Sequence, residues 1–489
     1  MNQKAVVSAK LVLVLALLLG VGIGTAAYLG YEDYAETVDI SVQEIEGGTV
    51  EGAGSYRDGD TVTLTAAVDH GYRFSCWTED GMTVGNNTTL TFTASEDREL
   101  RAVFVLRSYT VTVASNYADA GTLTGAGTYT YQTVHTVAAT VRSGYIFEGW
   151  YEDGRQLSSA SSMSYTVKDD CTLTARYAII HDASFTISVT AAKVPLTLTA
   201  ASVYNVQIKE RTWACTDALT GASVWLYHIP GVASVSHSFT TGEGLVIKQS
   251  VTYTDGETAV STQNYVVDET VAKHFEWKYK VKTWYSDLTP FINNRSAEWN
   301  LNFSYAWYYS YLTNNSIPRT GDYSWCAGYA TYADPVIVSM AGGMTRFTAS
   351  LSDAEKVNCV LKFVQSFAYE YDSDGKQVGD YCKYPAETLY EGKGDCEDHA
   401  FLFAALTRAM GYQTAIYYLY CYADDGSFEA AHMAAGVNVS GISGYHTVFN
   451  GINYYYCEAT ATHSAGLIDY CDVGDLPTGY VIKRTWAVT

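Results

Sequence analysis

The feature that most constrains the fold is an internal repeat with a constant offset in the first part of the chain. Three motifs recur 73 positions later (for example 125 − 52): Gly52–Tyr56 as Gly125–Tyr129, Gly71–Phe74 as Gly144–Phe147, and Ala102–Phe104 as Ala175–Tyr177. Because the offset is constant, the segment is two copies of one structural unit. Apolar and polar residues alternate within each copy, as in Thr61–Ala66, which predicts β-strands.

The aromatic core of each copy has the pattern Gly-Tyr-x-Phe-x-x-Trp and ends at Trp77 and Trp150. This pattern resembles the internalin-type B-repeat of microbial surface proteins. The resemblance implies two small all-β, β-grasp-like modules, at 38–105 and 109–178. Aromatic residues at fixed positions of a repeat usually fill its core, so we expect the modules to act as a spacer. Adhesion or partner binding is the alternative.

The N-terminal segment predicts export. Lys4 and Lys10 precede an apolar run from Leu11 to Gly30, long enough as a helix to cross the roughly 30 Å hydrocarbon core of a membrane. Lysines on the short N-terminal side predict that the remainder lies outside the cell. We therefore expect residues 1–35 to form a membrane-anchoring helix. A signal peptide cleaved near Thr25-Ala26-Ala27 is the alternative, which would make the protein secreted.

Length, charge and cysteine content exclude several classes. The chain has 489 residues, too many for one core, and its formal charge of -22 argues against a nucleic-acid partner. Its ten cysteines show no spacing typical of a zinc site. Export permits disulfides, and we expect any bridges mainly between positions 326 and 471.

The rest of the chain divides into a β-rich segment and a mixed segment. Residues 181–274 contain strand-like runs separated by turn signals such as Asp255-Gly256, which predicts a β-sandwich-like linker domain. From residue 275 the pattern changes to aromatic-rich runs and then helices. We therefore predict a multidomain chain that ends in an α+β domain at 275–489.

A cysteine at the start of a helix is the strongest candidate for chemistry. In Gly394-Asp395-Cys396-Glu397-Asp398 the apolar spacing that follows predicts a helix that begins at Cys396 and ends before Gly411. A helix N-terminus favours the thiolate, the nucleophilic form of cysteine. The neighbouring acids oppose that charge, so Cys396 needs a cationic partner.

His432 and Glu458 lie downstream in two strand-like runs, and turn residues separate them. If the strands are antiparallel neighbours, His432 lies beside Glu458, whose carboxylate would orient the imidazole. We therefore expect Cys396, His432 and Glu458 to form a nucleophile–base–acid triad. His399, His446 and His463 are weaker candidates for the base.

At this point the residues resemble the transglutaminase-like, papain-like fold superfamily, most closely its exported microbial branch. The resemblance rests on Gly-Asp-Cys-Glu-Asp, on His-Met-Ala-x-Gly-Val from His432, and on the Tyr-Tyr-Tyr-Cys-Glu-x-Thr run. It implies Cys396 as nucleophile, His432 as base and Glu458 as orienting acid, although aspartate is commoner than glutamate at the third position. The superfamily includes cross-linkers, peptidases, amidases and inactive members, so the fold alone does not select a reaction.

Two further residues are candidates for the cleft. Gln365 has a side-chain amide that can complete an oxyanion hole, and a solvent-facing position is the alternative. Tyr384 either lines the cleft or packs against Pro385. The run Asp372-Ser373-Asp374-Gly375 has a hint of a calcium loop but lacks the later ligands, so we interpret it as a turn. We expect no metal and no cofactor.

The combined prediction is an exported, membrane-anchored cell-surface protein that hydrolyses peptide or amide bonds through a thioester intermediate. Its expected partner is a protein or peptide substrate. One alternative is a protein-glutamine cross-linking transglutaminase, in which an amine replaces water. The other is a non-catalytic adhesin or scaffold whose papain-like domain only binds.

Overall fold

The computed structural model describes most of the chain beyond residue 35. The described ranges are 36–43, 46–229, 231–284, 290–314, 316–319, 323–376, 381–460 and 472–489. The chain divides into two compact units, one up to Ile179 and one from Ile180 to Thr489. The protein is mostly β, as predicted, and the helices within the described ranges lie in the second unit.

The first unit contains two sets of eight strands. The strands of the first set are β1 Thr37–Val42, β2 Gly48–Glu51, β3 Gly54–Arg57, β4 Thr61–Val68, β5 Tyr72–Glu79, β6 Met82–Gly85, β7 Thr89–Thr93 and β8 Arg98–Leu106. Those of the second are β9 Ser108–Ser115, β10 Leu123–Thr124, β11 Gly127–Thr130, β12 Val134–Ala139, β13 Tyr145–Glu152, β14 Arg155–Ser158, β15 Ser162–Thr166 and β16 Cys171–Ile179.

Both sets have the same topology. In the first, a five-stranded sheet has the order β3-β1-β8-β5-β6 and a three-stranded sheet the order β2-β4-β7. In the second, the corresponding orders are β11-β9-β16-β13-β14 and β10-β12-β15. Each set contains one parallel pair, between its first and last strands. Residues that are 73 positions apart in sequence therefore occupy equivalent places in two copies of the same fold.

The repeated residues occupy equivalent positions. Trp77 and Trp150 are both fully buried, each in the core of its own repeat. Gly52 and Gly125 have φ values of +98° and +104°, a conformation that glycine adopts without steric cost. The aromatic pattern therefore fills the repeat cores, as the spacer interpretation requires.

We predict that Trp77→Ala and Trp150→Ala each destabilise their own repeat by about 3–5 kcal/mol, the usual cost of emptying such a site. Native-state hydrogen exchange on the full chain measures this, because it reports each repeat separately. Met82→Ala is the matched control, since Met82 is 77% exposed and its loss should cost little. Unchanged protection in the variant repeat would contradict the assignment of the tryptophan to its core.

The second unit begins with two antiparallel sheets that enclose one core. The strands are β17 Phe185–Val189, β18 Leu196–Ser202, β19 Ile208–Asp217, β20 Ser223–His228, β21 Ser234–Phe239, β22 Glu243–Tyr253 and β23 Thr258–Val267. Their orders are β17-β18-β21 and β20-β19-β22-β23. Both sheets contribute to the same cluster of buried side chains, which includes Leu198, Trp213 and Ile247.

A long hairpin follows, formed by β24 Thr270–Trp284 and β25 Pro290–Ser304. Strand β24 runs without interruption across the predicted domain boundary at 274–275, so that boundary falls inside a regular element. Phe275 and Trp277 on this strand pack on Phe363. The hairpin therefore shares the core of the helical part of this unit.

The helical part surrounds one central helix. The helices are α1 Tyr305–Leu312, α2 Pro335–Phe347, α3 Asp353–Val364, α4 Asp372–Gly375, α5 Pro385–Glu391 and α6 Cys396–Ala409, with a 3-10 helix at Tyr323–Tyr329. Helix α3 begins with the capping box that the sequence indicates: Ser352 N donates to Glu355 Oε2 at 2.9 Å, and Glu355 N donates to Ser352 Oγ at 3.4 Å. Side chains of α6 from Glu397 to Thr407 are buried, so α6 lies at the centre of this domain.

Strands complete this domain. They are β26 Ala368–Tyr369, β27 Lys393–Gly394, β28 Gln413–Tyr422, β29 Phe428–Asn438, β30 His446–Phe449, β31 Ile452–Cys457 and β32 Tyr480–Val488. The main sheet is antiparallel with the order β30-β31-β29-β28-β32. Helix α6 packs on β28 and β29, which brings the start of α6 near the strands that carry the candidate base and acid.

Two predictions concern residues that the structure describes only in part. In the described ranges no helix is long and apolar enough to cross a membrane, and the predicted anchor at 1–35 lies outside them. The nine described cysteines are all free thiols, and Cys471 lies outside the described residues. The expected disulfides are therefore absent among those nine cysteines.

Candidate active site

Helix α6 positions the candidate nucleophile at its first residue. Asp395 is the N-cap, and its backbone N–H donates to Asp398 Oδ2 at 3.4 Å. Cys396 is partly buried, whereas both of its neighbours, Asp395 and Glu397, are buried. The predicted helix start is correct to the residue, so the thiol lies at the N-terminal end of the most buried helix of the domain.

The contacts of Cys396 favour a protonated thiol in this structure. Its Sγ donates to Glu397 Oε2 at 3.1 Å. Burial raises the pKa of Cys396 well above its usual range, the charges of Glu397 and Asp395 raise it further, and a hydrogen bond from the Met433 backbone lowers it. The helix N-terminus therefore does not by itself hold Cys396 as a thiolate, because burial and two adjacent carboxylates outweigh it.

His432 and Glu458 form a buried pair. His432 lies in β29, and Glu458 directly follows β31, the antiparallel neighbour of β29. The His432 Nε2 atom lies 2.9 Å from Glu458 Oε2 and 3.1 Å from Oε1. Both side chains are about 1% exposed. The two neighbouring strands thus place the imidazole beside the carboxylate.

Glu458 accepts further hydrogen bonds from residues close to it in sequence. Tyr456 Oη donates to its Oε2 at 2.7 Å, and the Thr460 backbone N–H donates to its Oε1 at 3.1 Å. Burial opposes the charge on Glu458, but His432 and these donors outweigh burial and lower its pKa to about 2. Glu458 is therefore ionised at neutral pH and is held in one orientation.

This low pKa predicts how stability depends on pH. The pKa of Glu458 is about 2 in the folded protein against an ordinary value of 4.5. A lowered pKa contributes stability that is complete above the ordinary value and is lost as the pH falls through the folded value. We expect the free energy of unfolding of the wild type, relative to that of Glu458→Gln, to fall between about pH 4.5 and pH 2. A pH-independent difference over that range would contradict the charged pair.

The thiol of Cys396 lies beside the stretch of β29 that carries His432. The backbone hydrogen bond to Cys396 comes from Met433, the residue that follows His432. The thiol itself donates to Glu397 Oε2. The structure thus pairs His432 with Glu458 directly and brings Cys396 to the neighbouring residue of the same strand.

Gln365 and Tyr384 are both buried rather than exposed to solvent. Gln365 Nε2 donates to the backbone oxygen of Glu458 at 2.6 Å, so it fixes the position of Glu458. Tyr384 is the N-cap of α5, and its ring packs against Tyr329, with ring centres 4.5 Å apart. The Arg319 guanidinium lies 5.0 Å from the centre of the same ring. The oxyanion and cleft roles of these two residues remain predictions.

The other candidate bases occupy different environments. His399 is fully buried in α6, and burial lowers its pKa to about 4, so its ring is neutral. Neither of its ring nitrogens has a hydrogen-bond partner among the described residues. His446 is exposed on β30, and its Nδ1 lies 3.3 Å from the carbonyl of Gly444. His463 lies outside the described residues.

Lys383 is a charged residue of this region that sequence analysis did not identify. It is 1% exposed, its backbone N–H donates to Asp398 Oδ1 at 2.7 Å, and its Nζ lies 3.6 Å from Asp398 Oδ2. The same Nζ lies 3.1 Å from Glu391 Oε2. No spacing in the sequence relates Lys383 to the start of α6, because the pair forms only when α5 and α6 pack together.

Comparisons with known protein families match three parts of the chain. Residues 38–108 and 109–181 each match the divergent InlB B-repeat domain, and residues 340–448 match the transglutaminase-like superfamily. These matches confirm both resemblances proposed from the sequence. No curated protein matches the chain.

Two solved structures show weak likeness. A provisionally assigned cysteine protease from Cytophaga hutchinsonii is 12% identical, with a TM-score of 0.19, over 57% of this chain and 85% of that one. A provisionally assigned protease from Parabacteroides distasonis ATCC 8503 is 10% identical, with a TM-score of 0.19, over 55% of this chain and 68% of that one. Both TM-scores are too low to establish a common overall fold.

Proposed function

Because this chain carries two divergent InlB B-repeat domains followed by a transglutaminase-like domain, we propose that it is an exported cell-surface enzyme with a cysteine nucleophile. It hydrolyses peptide or amide bonds of a protein substrate. The residues that we assign to the reaction are Cys396 as nucleophile, His432 as base and Glu458 as the acid that orients His432.

One observation carries the proposal. His432 on β29 forms a buried pair with Glu458, 2.9 Å away, and the backbone amide of the next residue on β29, Met433, contacts the sulfur of Cys396. A nucleophile beside a base that is itself oriented by a carboxylate is the general arrangement of a catalytic triad. The match to the transglutaminase-like superfamily covers both Cys396 and His432.

The first half of the reaction transfers one proton and one acyl group. The thiol proton of Cys396 moves to His432, and the resulting thiolate attacks the carbonyl carbon of the amide. His432 then gives this proton to the departing amine as the C–N bond breaks, which leaves a thioester on Cys396. We expect the thiol–imidazole hydrogen bond to form when substrate is bound, because catalytic hydrogen bonds are often long or poorly aligned in the free enzyme.

The second half of the reaction returns the enzyme to its starting state. His432 takes a proton from water, and the hydroxide oxygen attacks the thioester carbonyl. As the C–S bond breaks, His432 returns that proton to the sulfur, which gives a carboxylic acid and the free thiol. Glu458 stabilises the imidazolium that forms in both halves. Gln365 contributes by fixing the backbone of Glu458, and the backbone N–H of Cys396 is the first candidate donor to the oxyanion.

The acceptor of the acyl group distinguishes the two enzymatic alternatives. Water yields hydrolysis, and a lysine amine yields a cross-link. We favour hydrolysis because water is in large excess at an aqueous surface, and no feature of the sequence indicates a binding tunnel for a lysine side chain.

The location follows from the N-terminal half of the chain. Lys4, Lys10 and the apolar run from Leu11 to Gly30 support a membrane anchor in residues 1–35. Two repeat modules with filled aromatic cores support a spacer between that anchor and the enzymatic domain. The substrate is therefore a polypeptide at or beyond the cell envelope.

Trapping the thioester tests the proposal. The full chain is incubated with a glutamine-containing peptide library, quenched in acid and analysed by mass spectrometry for acylated cysteine. Cys76 and Cys171 are also partly exposed, so the protein should carry Cys76→Ser and Cys171→Ser to remove their background. Acylation of Cys396 that hydroxylamine reverses is expected; its absence with every peptide would favour the non-catalytic alternative.

A labelled primary amine in the same reaction separates hydrolysis from cross-linking. Hydrolysis releases free peptide acid, whereas transamidation places the label on the peptide. Label incorporation faster than release of acid would overturn our choice of hydrolysis and support the cross-linking transglutaminase.

A further inference from the structure

A buried lysine outside the proposed triad lies close to the segment that carries the nucleophile. Lys383 is 1% exposed, and its Nζ atom lies 3.1 Å from Glu391 Oε2 and 3.6 Å from Asp398 Oδ2. The same ammonium donates to the backbone oxygen of Lys393 at 3.4 Å. Lys393 lies only a few positions before Cys396 in the chain. A buried charge needs such partners to offset its loss of hydration.

The ammonium of Lys383 keeps its charge in this site. Burial lowers the pKa of Lys383, but the charges of Asp398 and Glu391 outweigh burial and raise it above its ordinary value. The charge of Asp395 acts in the same direction. Lys383 is therefore cationic at neutral pH, and its charge lies between α5 and the first turn of α6.

Asp398 connects Lys383 to the start of α6. Its Oδ1 accepts the backbone N–H of Lys383 at 2.7 Å, and its Oδ2 accepts the backbone N–H of Asp395, the N-cap, at 3.4 Å. Burial raises the pKa of Asp398 well above its usual range, and Glu397 and Asp372 raise it further. Lys383 acts in the opposite direction, through its charge and its backbone N–H. Since an ionised carboxylate accepts at both oxygens, Lys383 favours the form of Asp398 that holds the cap.

Glu391 restricts the position of the Lys383 ammonium. The Tyr308 hydroxyl of α1 donates to Glu391 Oε1 at 2.9 Å, and Lys376 Nζ lies 2.6 Å from the same oxygen. The rings of Tyr308 and Tyr390 are stacked, with centres 4.1 Å apart. Lys383 thus pairs with a carboxylate that other segments of the domain already hold in place.

We propose that Lys383 is a positioning residue for the nucleophile: its buried ammonium holds Asp398 and, through Asp398, the first turn of α6 that carries Cys396. The inference rests on the proposed role of Cys396 as nucleophile. The charge of Lys383 also opposes the field of Asp395 and Glu397, the carboxylates that add to burial in raising the pKa of Cys396. Lys383 itself takes no part in the transfer of the acyl group.

A purely structural role of Lys383 would give a different result from a positioning role. If Lys383 only stabilised the fold, its loss would reduce the folded population, and the folded molecules would keep the wild-type reactivity of Cys396. A positioning role changes Cys396 within the folded protein, since loss of a nearby cation raises the pKa of a thiol. The rate of thiol alkylation in the folded protein therefore distinguishes the two roles.

Alkylation of Cys396 by iodoacetamide, followed as a function of pH, tests the proposal. The full chain carries Cys76→Ser and Cys171→Ser to remove two other partly exposed thiols, and peptide mapping measures the reaction at Cys396 separately. We expect Lys383→Met to slow alkylation at least about threefold at each pH below the thiol pKa, which corresponds to a shift of about 0.5 pH unit. Lys383→Arg keeps the charge and should slow it less. A wild-type or faster rate in folded Lys383→Met would overturn the proposal.

Lys376→Met is the matched control. Lys376 also forms an ion pair with Glu391, whereas the lysine that the structure pairs with Asp398 is Lys383. Its substitution should leave the alkylation rate within about twofold of the wild type. An equal decrease in the two methionine variants would assign the effect to the general loss of a positive charge and would overturn the proposal. If Lys383→Met fails to fold by circular dichroism, Lys383→Gln decides the result, with a decrease again expected.

This test does not depend on turnover. Alkylation reports the state of the Cys396 thiol even if no peptide forms a thioester, so the proposed function can fail while the role of Lys383 is still measured. With a peptide identified by thioester trapping, Lys383→Met should lower kcat at least about tenfold and leave KM within about twofold. An unchanged kcat in folded Lys383→Met would contradict the positioning role.

Discussion

Replacing Cys396 with alanine is expected to lower kcat for amide hydrolysis by at least about 10⁴-fold, because it removes the atom that forms the thioester. The loss should appear in kcat rather than in KM, since the alanine variant keeps the surface that binds substrate. Steady-state kinetics on the peptide identified by thioester trapping measures both constants. Cys396→Ser should retain little activity, because a serine hydroxyl is a much weaker nucleophile at neutral pH.

Cys171→Ala is the matched control for this experiment. Cys171 is also a partly exposed free thiol, but it lies in β16 of the second repeat. Its substitution should leave kcat unchanged. Equal loss of activity in the two variants, or full activity in Cys396→Ala, would show that Cys396 is not the nucleophile.

The second large effect concerns the buried pair of His432 and Glu458. Glu458→Ala removes the carboxylate that faces a fully enclosed imidazole, and breaking a buried pair in this way typically costs about 3–5 kcal/mol of stability. Glu458→Gln should cost less, because its amide oxygen can still accept a hydrogen bond from either Tyr456 or Thr460. Chemical denaturation of the full chain, followed by a probe of the C-terminal domain, measures these differences.

A double-mutant cycle separates the pair from general damage to the core. If the two side chains interact, the cost of Glu458→Ala should be clearly smaller in a His432→Ala background than in the wild type. Glu429→Ala is the surface control, since Glu429 lies on β29, the strand of His432, but its side chain is exposed. Additive costs for Glu458→Ala and His432→Ala would contradict a direct interaction.

Local sequence signals predict the helices and strands that position the residues of the candidate active site. The capping box at Ser352 and Glu355 marks the start of α3, and the Asp395–Cys396 junction marks the start of α6, because caps and helical periodicity are short-range features. Alternation along β31 and into the residue that follows it predicts Tyr456 and Glu458 on one face, and Tyr456 donates to Glu458 in the structure. These features depend on residues no more than a few positions apart.

The protonation state and the neighbours of the nucleophile are not local features. Sequence reasoning predicts a favourable helix N-terminus at Cys396 that the adjacent acids oppose, and the structure adds burial, which is the largest cause of the raised thiol pKa. Lys383 and Asp398 meet because α5 packs on α6. Burial and such long-range pairs depend on how the helices and strands pack, and residue spacing along the chain does not predict them.

By itself, the sequence determined the repeated modules, the order of the domains and the identity of Cys396, His432 and Glu458 as candidates. A repeated motif, a helix cap and an alternating strand can each be recognised from a short stretch of sequence. Only the tertiary structure decided that His432 and Glu458 pair in a buried site and that burial raises the pKa of the Cys396 thiol. Those outcomes require contacts between segments far apart in the chain, and burial there changes the electrostatic cost of each charge.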